Sequence, residues 1–264
     1  MKLSNSKSII LFRFHDNPQR ALSRIRLLRE FNNLDIHVLY GGEEKNLEDC
    51  RKVIQPEVSS FWTYTNKTSK WRWIHGDLLV KNWYREIGNK IPFEFVFILE
   101  YDMVILKPLK DIYPDIGEDS IALAACEPFT KEIESNWSWT SREEDRPDYL
   151  KFKEYMHKNY GIERQAKVCL GPGPLLSRKF LDAWSKTEDV DFVNDEIAYP
   201  AYAEALGFKA LNHGMHPGFS ASDDEERFFN CNRKFVSQSM IKEELSKPDG
   251  IRAFHPVKDE LTEL

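Results

Sequence analysis

Several features that would narrow the assignment at once are scarce in this chain. Near the N-terminus the apolar run Ile9 to Phe12 stops at Arg13, too short for a signal-peptide core and far too short to span a bilayer. A soluble, cytoplasmic protein is the expectation. Basic residues nowhere gather into a run: 37 Lys and Arg are mixed among 43 Asp and Glu, for a formal net charge of -6. Such a pattern offers no stripe to follow a phosphate backbone, which excludes nucleic acid as the expected partner. There are four cysteines, Cys50, Cys126, Cys169 and Cys231, and no CxxC pair among them. A zinc knuckle or dithiol redox site is therefore unsupported, and reduced thiols are the simplest reading. Repeats, low-complexity stretches and Pro/Gly/Ser-rich linkers are missing too, so residues 1–264 read as a single unit. Two glycosylation-type tripeptides, Asn66-Lys67-Thr68 and Asn136-Trp137-Ser138, carry no weight without a secretory signal.

What is present is ordinary globular material, 41% hydrophobic and 30% charged, enough for one sizeable core. Strand and helix patterns alternate. Ser8 to Phe14 reads as a strand, Arg20 to Phe31 as a helix, Asp35 to Tyr40 as a strand and Leu47 to Ile54 as a short helix. Phe61 to Tyr64 is extended, Trp71 to Ile87 suits one long helix, and Phe93 to Leu99 has the unbroken apolar character of a central strand buried on both faces. Ile121 to Cys126 follows as a strand, and Glu127 to Pro147 as a surface excursion suited to a lid or an acceptor loop. Further on come a helix at Tyr149 to Tyr160, a Gly171-Pro172-Gly173-Pro174 turn, and helices at Ser177 to Trp184 and Asn194 to Leu206. Gly207 ends the last of these, and short strands close the chain at Phe208 to Leu211 and Ile251 to His255. This alternation predicts an α/β fold with a mostly parallel central sheet flanked by helices.

The chemistry gathers where the central strand ends. Glu100 and Asp102 interrupt the apolar segment Phe95 to Ile105. Carboxylates two apart on extended chain share a side and can serve one hard divalent cation, Mn2+ or Mg2+. Ligands in open α/β sheets also bind beyond the carboxyl ends of strands. The bland alternative is an acidic strand end that simply reaches water. Three further segments stand out: Cys169-Leu170-Gly171-Pro172-Gly173-Pro174-Leu175-Leu176-Ser177-Arg178-Lys179-Phe180, Asn194-Asp195-Glu196 and Phe254-His255-Pro256-Val257-Lys258. Their bland readings are a turn with Ser177 capping the next helix, acids at a helix N-terminus behind an Asn194 cap, and an ordinary tail histidine.

Taken in order, Glu-x-Asp followed by Lys107-Pro108-Leu109, then the Gly-rich Leu-Ser-Arg segment, then Asn-Asp-Glu, then the late His and Lys, resemble the DxD-type GT-A glycosyltransferases, with Glu in place of the first Asp. The resemblance runs from the first strand to Lys258, and its specificity lies in the order of short motifs. It implies a Rossmann-like GT-A fold, with residues 1–110 as the nucleotide- and donor-binding half and 111–264 as the acceptor-binding half and C-terminal tail. It implies a cation ligated by Glu100, Asp102 and His255, with ribose as the other contact open to Glu100, Lys258 on the donor diphosphate, and Asp195 or Glu196 as the general base of an inverting enzyme or as orienting groups in a retaining one. His213 and His216 are rivals of His255 for the metal. The loop His15-Asp16 and the helix residue Asp77 are expected to meet the nucleotide, while Trp71 and Trp73 have core packing as their alternative role.

The implied reaction transfers a sugar from a nucleoside diphosphate sugar, expected as a UDP-sugar, to a hydroxyl of a glycan or other acceptor, with inversion if an acid serves as base. Two rivals belong to other classes. A sugar-phosphate nucleotidyltransferase would open with a Gly-rich phosphate loop, which Phe12-Arg13-Phe14-His15-Asp16-Asn17-Pro18 lacks. A non-enzymatic carbohydrate-binding protein would use the seven tryptophans as stacking platforms without metal or nucleotide.

Overall fold

The structure, a computed structural model, describes residues 1–231 and 234–261. Ser8–Phe14 forms strand β1, buried along nearly its whole length as its apolar run dictates. Asn17 accepts hydrogen bonds from the N–H groups of Gln19 and Arg20, and Pro18 opens helix α1 (Pro18–Phe31). Strand β2 (Asp35–Tyr40), helix α2 (Leu47–Ile54) and strand β3 (Ser60–Thr63) follow, then helices α3 (Ser69–Ile74) and α4 (Gly76–Glu86) and the central strand β4 (Phe95–Glu100). After β5 (Val104–Ile105) and the short α5 (Leu109–Ile112) comes β6 (Ser120–Pro128). Helices α6 (Lys131–Asn136), α7 (Ser138–Ser141) and α8 (Arg146–Tyr160) lead to β7 (Lys167–Ser177) and α9 (Arg178–Trp184). The described chain ends through α10 (Asp195–Ala205), β8 (Lys209–Asn212), α11 (Gln238–Leu245) and β9 (Ala253–Phe254).

Seven strands make one sheet in the order β3-β2-β1-β4-β7-β6-β8, and β5 pairs with β9 apart from it. All the sheet's pairings are parallel except those of β7, which runs against β4 and β6. The mostly parallel α/β sheet read from the sequence is present. The period of two along a strand sorts side chains into two layers. Ile9, Leu11, Leu39, Val96 and Ile98 pack with Trp83 of α4 and Tyr199 of α10. Ile10, Phe12, Val38, Phe95 and Phe97 pack with Ile25 of α1 and Ile54 of α2.

Two elements differ from the sequence reading. The single helix over Trp71 to Ile87 is broken at His75, whose backbone leaves the helical region at φ -104°, ψ 54°. The Gly-Pro-Gly-Pro segment is no turn but lies inside β7, an interior strand of the sheet. Two prolines cannot donate to a ladder, and the register of β6 against β7 shifts twice beside them, between Ala122 and Ala124 and between Ala124 and Glu127. Gly173 takes φ 76° within this irregular stretch. Among the described residues, no helix is long and apolar enough to cross a membrane.

Candidate active site

From β1 the chain builds the sheet toward one side, through β2 and β3, and β4 lies on its other side. The crevice at such a switch point is where open α/β sheets bind ligands. Parallel register sets Arg13 beside Glu100 there. By the period of two, Arg13 shares a face with Ile9 and Leu11, and Glu100 with Val96 and Ile98, under α4 and α10. The guanidinium Nη1 of Arg13 lies 3.5 Å from Glu100 Oε1 and 3.3 Å from Asp195 Oδ2, at the N-terminus of α10.

Asp102 meets the end of the chain. The antiparallel β5–β9 ladder pairs Val104 with Phe254, and Val257 donates its N–H to the Asp102 carbonyl at 2.8 Å. His255 is thereby set with Nε2 3.6 Å from Asp102 Oδ1. Its Nδ1, 2.6 Å from the Asn230 carbonyl, has only an oxygen acceptor to face and so carries a proton, while Nε2 faces the Asp102 carboxylate and would offer its lone pair to a metal once the proton it shares with that carboxylate is lost. One ligand atom each from Glu100, Asp102 and His255 lies within 4.8 Å of the others. Two carboxylates and an imidazole suit Mn2+, and the carboxylates suit Mg2+.

The electrostatics follow from burial and pairing. Burial lifts the Glu100 carboxyl to about 7 against the pull of Arg13. Burial pushes Asp102 the same way, but the hydrogen bond and charge of His255 outweigh it and hold this carboxyl below its usual range. Burial alone would lower His255, and Asp102 more than reverses that. Burial raises Asp195 despite Arg13, and raises Glu196 to about 8. Glu196 Oε1 accepts from the Gly171 N–H at 2.8 Å and Oε2 from Asn194 Nδ2 at 3.3 Å.

Glu100, Asp102, Asp195, Glu196, His255, Lys258 and His15 all line one cavity of about 480 Å³ at the carboxyl ends of β1, β2 and β4. His15 packs edge-on to Tyr101, and exposed Lys258 places Nζ 4.2 Å from the Phe235 ring centroid at the rim. Two expected nucleotide contacts are not among the lining residues. Asp16 turns to its own loop, accepting from the Asn17 N–H and lying 3.6 Å from Arg20. Asp77 is 1% exposed inside the protein, with one carboxylate oxygen lacking a hydrogen bond, and burial pushes its carboxyl up to about 8. His213 and His216 also lie away from this cavity, buried against Phe229. Trp71 bonds Asp191 through its indole N–H, whereas Trp73 is 56% exposed at the cavity rim rather than in the core. The excursion after β6 contributes Trp139 to the lining and is tied down where Glu134 accepts from Tyr149 and Lys153.

Arg13 is the site residue that the sequence reading passed over. Its signal was available: a lone charge inside the apolar β1 run, the same anomaly that marked Glu100 and Asp102 in β4. Asn194 sits at the N-cap position of α10 but makes no side-chain cap bond, whereas Ser177 does cap α9.

No family model matches the chain, and no curated protein matches it. Among solved structures it is similar to the mannosyltransferase PcManGT from Pyrobaculum calidifontis in complex with GDP-Man and Mn2+. Identity there is 12%, over 78% of this chain and 54% of that one, at a TM-score of 0.37. It is similar to an active-site mutant of LgtC at 13% identity, over 87% and 75% of the two chains, at 0.40. A third is 4-diphosphocytidyl-2C-methyl-D-erythritol synthase, at 10% identity over 78% and 88%, at 0.43. The chain spans about half the length of the mannosyltransferase. Likenesses this distant leave the chemistry to be read from the site itself.

Proposed function

We propose that the chain is a metal-dependent glycosyltransferase acting on a nucleoside diphosphate sugar, with a UDP-sugar as the first candidate donor and a hydroxyl as acceptor. The observation that carries the reading is the convergence of Glu100, Asp102 and His255, ligand atoms within 4.8 Å, in a cavity at the sheet's switch point. Mn2+ or Mg2+ held by these residues supplies positive charge for the donor diphosphate. Lys258 at the rim adds an exposed ammonium that would offset charge developing on the departing diphosphate. Asp102 and Glu100 would be the anionic ligands, with Arg13 lying against Glu100 on the side toward Asp195.

Between the two acids of α10, Asp195 is the better base. Both oxygens of Glu196 already accept hydrogen bonds, so this side chain holds Gly171 and Asn194. Asp195 lines the cavity with Arg13 on one oxygen, positioned to take the acceptor hydroxyl's proton. An acid base of this kind fits inversion at the anomeric carbon.

Thermal-shift titrations with UDP, GDP, dTDP and their sugars, in Mn2+ or in chelator, test the reading. Stabilisation by a nucleotide only when metal is present supports it, and no response to any of them overturns it. Turnover must release nucleoside diphosphate; release of pyrophosphate would identify a nucleotidyltransferase instead. Proton NMR of the product's anomeric signal reports the stereochemical course.

A further inference from the structure

We propose that Arg13 is a positioning residue, holding Asp195 in register with the cation ligand Glu100 and acting in transfer through Asp195. This rests on the transferase reading above. Glu100 ends a strand and Asp195 begins a helix far along the chain, and one guanidinium nitrogen lies within 3.5 Å of both. Nη1 carries two N–H bonds, enough to offer one to each acid. The Arg13 side chain is 13% exposed, so little water screens these contacts.

The surroundings fix the guanidinium as well. At Gly76 a Cβ would fall 1.9 Å from Arg13 Nη2 and 2.4 Å from its Cζ, so the backbone of α4 closes over the group with room only for a hydrogen. The neighbouring buried cation cannot replace it: Lys81 is engaged with Thr187, the Glu188 carbonyl and Asp189. Without Arg13, Asp195 would lose the guanidinium that ties it to Glu100, leaving two carboxylates close together in one partly buried space. Asp195 would then turn away from Glu100, and its carboxylate would leave the place where an acceptor hydroxyl approaches the metal-bound end of the donor. Misplacement of a reacting group by about 1 Å costs roughly 10²-fold in rate, without a matching loss of substrate binding.

The test is a double-mutant cycle on donor turnover in Mn2+, with kcat and donor KM measured for wild type, Arg13→Met, Asp195→Asn and the double variant. Arg13→Met is expected to lower kcat by about 10²-fold and to change donor KM by less than about 3-fold. In the Asp195→Asn background the same substitution is expected to cost less than about 3-fold more, the signature of two residues acting as one unit. Arg13→Lys, which keeps the charge but not the fork, should recover part of kcat. Run through the same cycle, it gives the readout even if Arg13→Met does not fold. Multiplicative losses in an active wild type, or a loss confined to KM, overturn the role of Arg13 alone. A wild type that turns over no donor and responds to no nucleotide overturns the transferase reading, and this inference with it.

Discussion

Val257 donates its backbone N–H to the carbonyl of Asp102, and together with the β5–β9 ladder this bond registers the C-terminal segment against the acidic residues that follow β4. The imidazole of His255, two residues earlier, is thereby aimed at the Asp102 carboxylate.

Replacement of that imidazole should be felt first in metal affinity. His255→Ala is expected to weaken Mn2+ binding by at least about 10–100-fold, read from the loss of the free Mn2+ signal in electron paramagnetic resonance titrations. Far-UV circular dichroism should be unchanged, because the seven-stranded sheet does not include β9. Unaltered Mn2+ affinity would remove His255 from the ligand set.

Gly76→Ala tests the close passage over Arg13. The added methyl has no space beside the guanidinium, so the substitution is expected to cost about 1–3 kcal/mol in urea unfolding, in the usual range for overpacking. Donor turnover should fall with it. A neutral effect would mean that Arg13 is free to move aside.

Asp77 gives a pH dependence with a defined sign. Burial holds its carboxyl at about 8 in the folded chain against an ordinary value of 3.8, beside Asp195, Lys81 and Arg13. Between those values the native state keeps a proton that the unfolded chain releases, so this group's contribution to stability is lost as pH rises from about 4 to about 8. Asp77→Asn cannot lose that proton. Comparing urea unfolding at pH 5 and pH 8.5, the wild type should lose roughly 2–4 kcal/mol more than the variant. Parallel curves would show that Asp77 ionises freely.

Ser177 offers a contrast outside the cavity. Its hydroxyl accepts from the Phe180 N–H at 3.2 Å and caps α9. Ser177→Ala is expected to cost about 1 kcal/mol of stability while leaving Mn2+ affinity unchanged in the same titration. A lowered affinity would tie the Leu-Ser-Arg segment to the cation.

Much of this architecture is legible locally. Strands Ser8–Phe14 and Asp35–Tyr40 and the helix Leu47–Ile54 have the bounds that their runs of side chains predict, because turn chemistry brackets each one. Glu100, Asp102 and His255 were readable as a set only through the order of motifs. The contacts that unite them, the β5–β9 ladder and the Val257 bond, have no local trace.

The misses share a physical cause. Gly-Pro-Gly-Pro has turn composition, yet bulges in the neighbouring strand let it run through the middle of the sheet. Nothing local in Trp71 to Ile87 forbids a continuous helix, yet the chain breaks at His75, and directly after the break Gly76 lies against the guanidinium of Arg13 from β1. The resemblance to a glycosyltransferase helix puts Asp77 at the nucleotide, whereas its side chain is buried in the first turn of α4. In each case the segment lies against residues distant in sequence, which periodicity does not report.

The late arrival of His255 also bears on how the protein is made. Synthesis delivers every strand of the main sheet by Asn212, while the imidazole of the metal group follows only with the closing segment. A nascent chain can therefore complete its sheet while it holds only two of the three ligands. On the proposed ligand set, the cation site can be completed only after the last strand of the sheet has been made, so the cation would be a passenger of the fold rather than its nucleus.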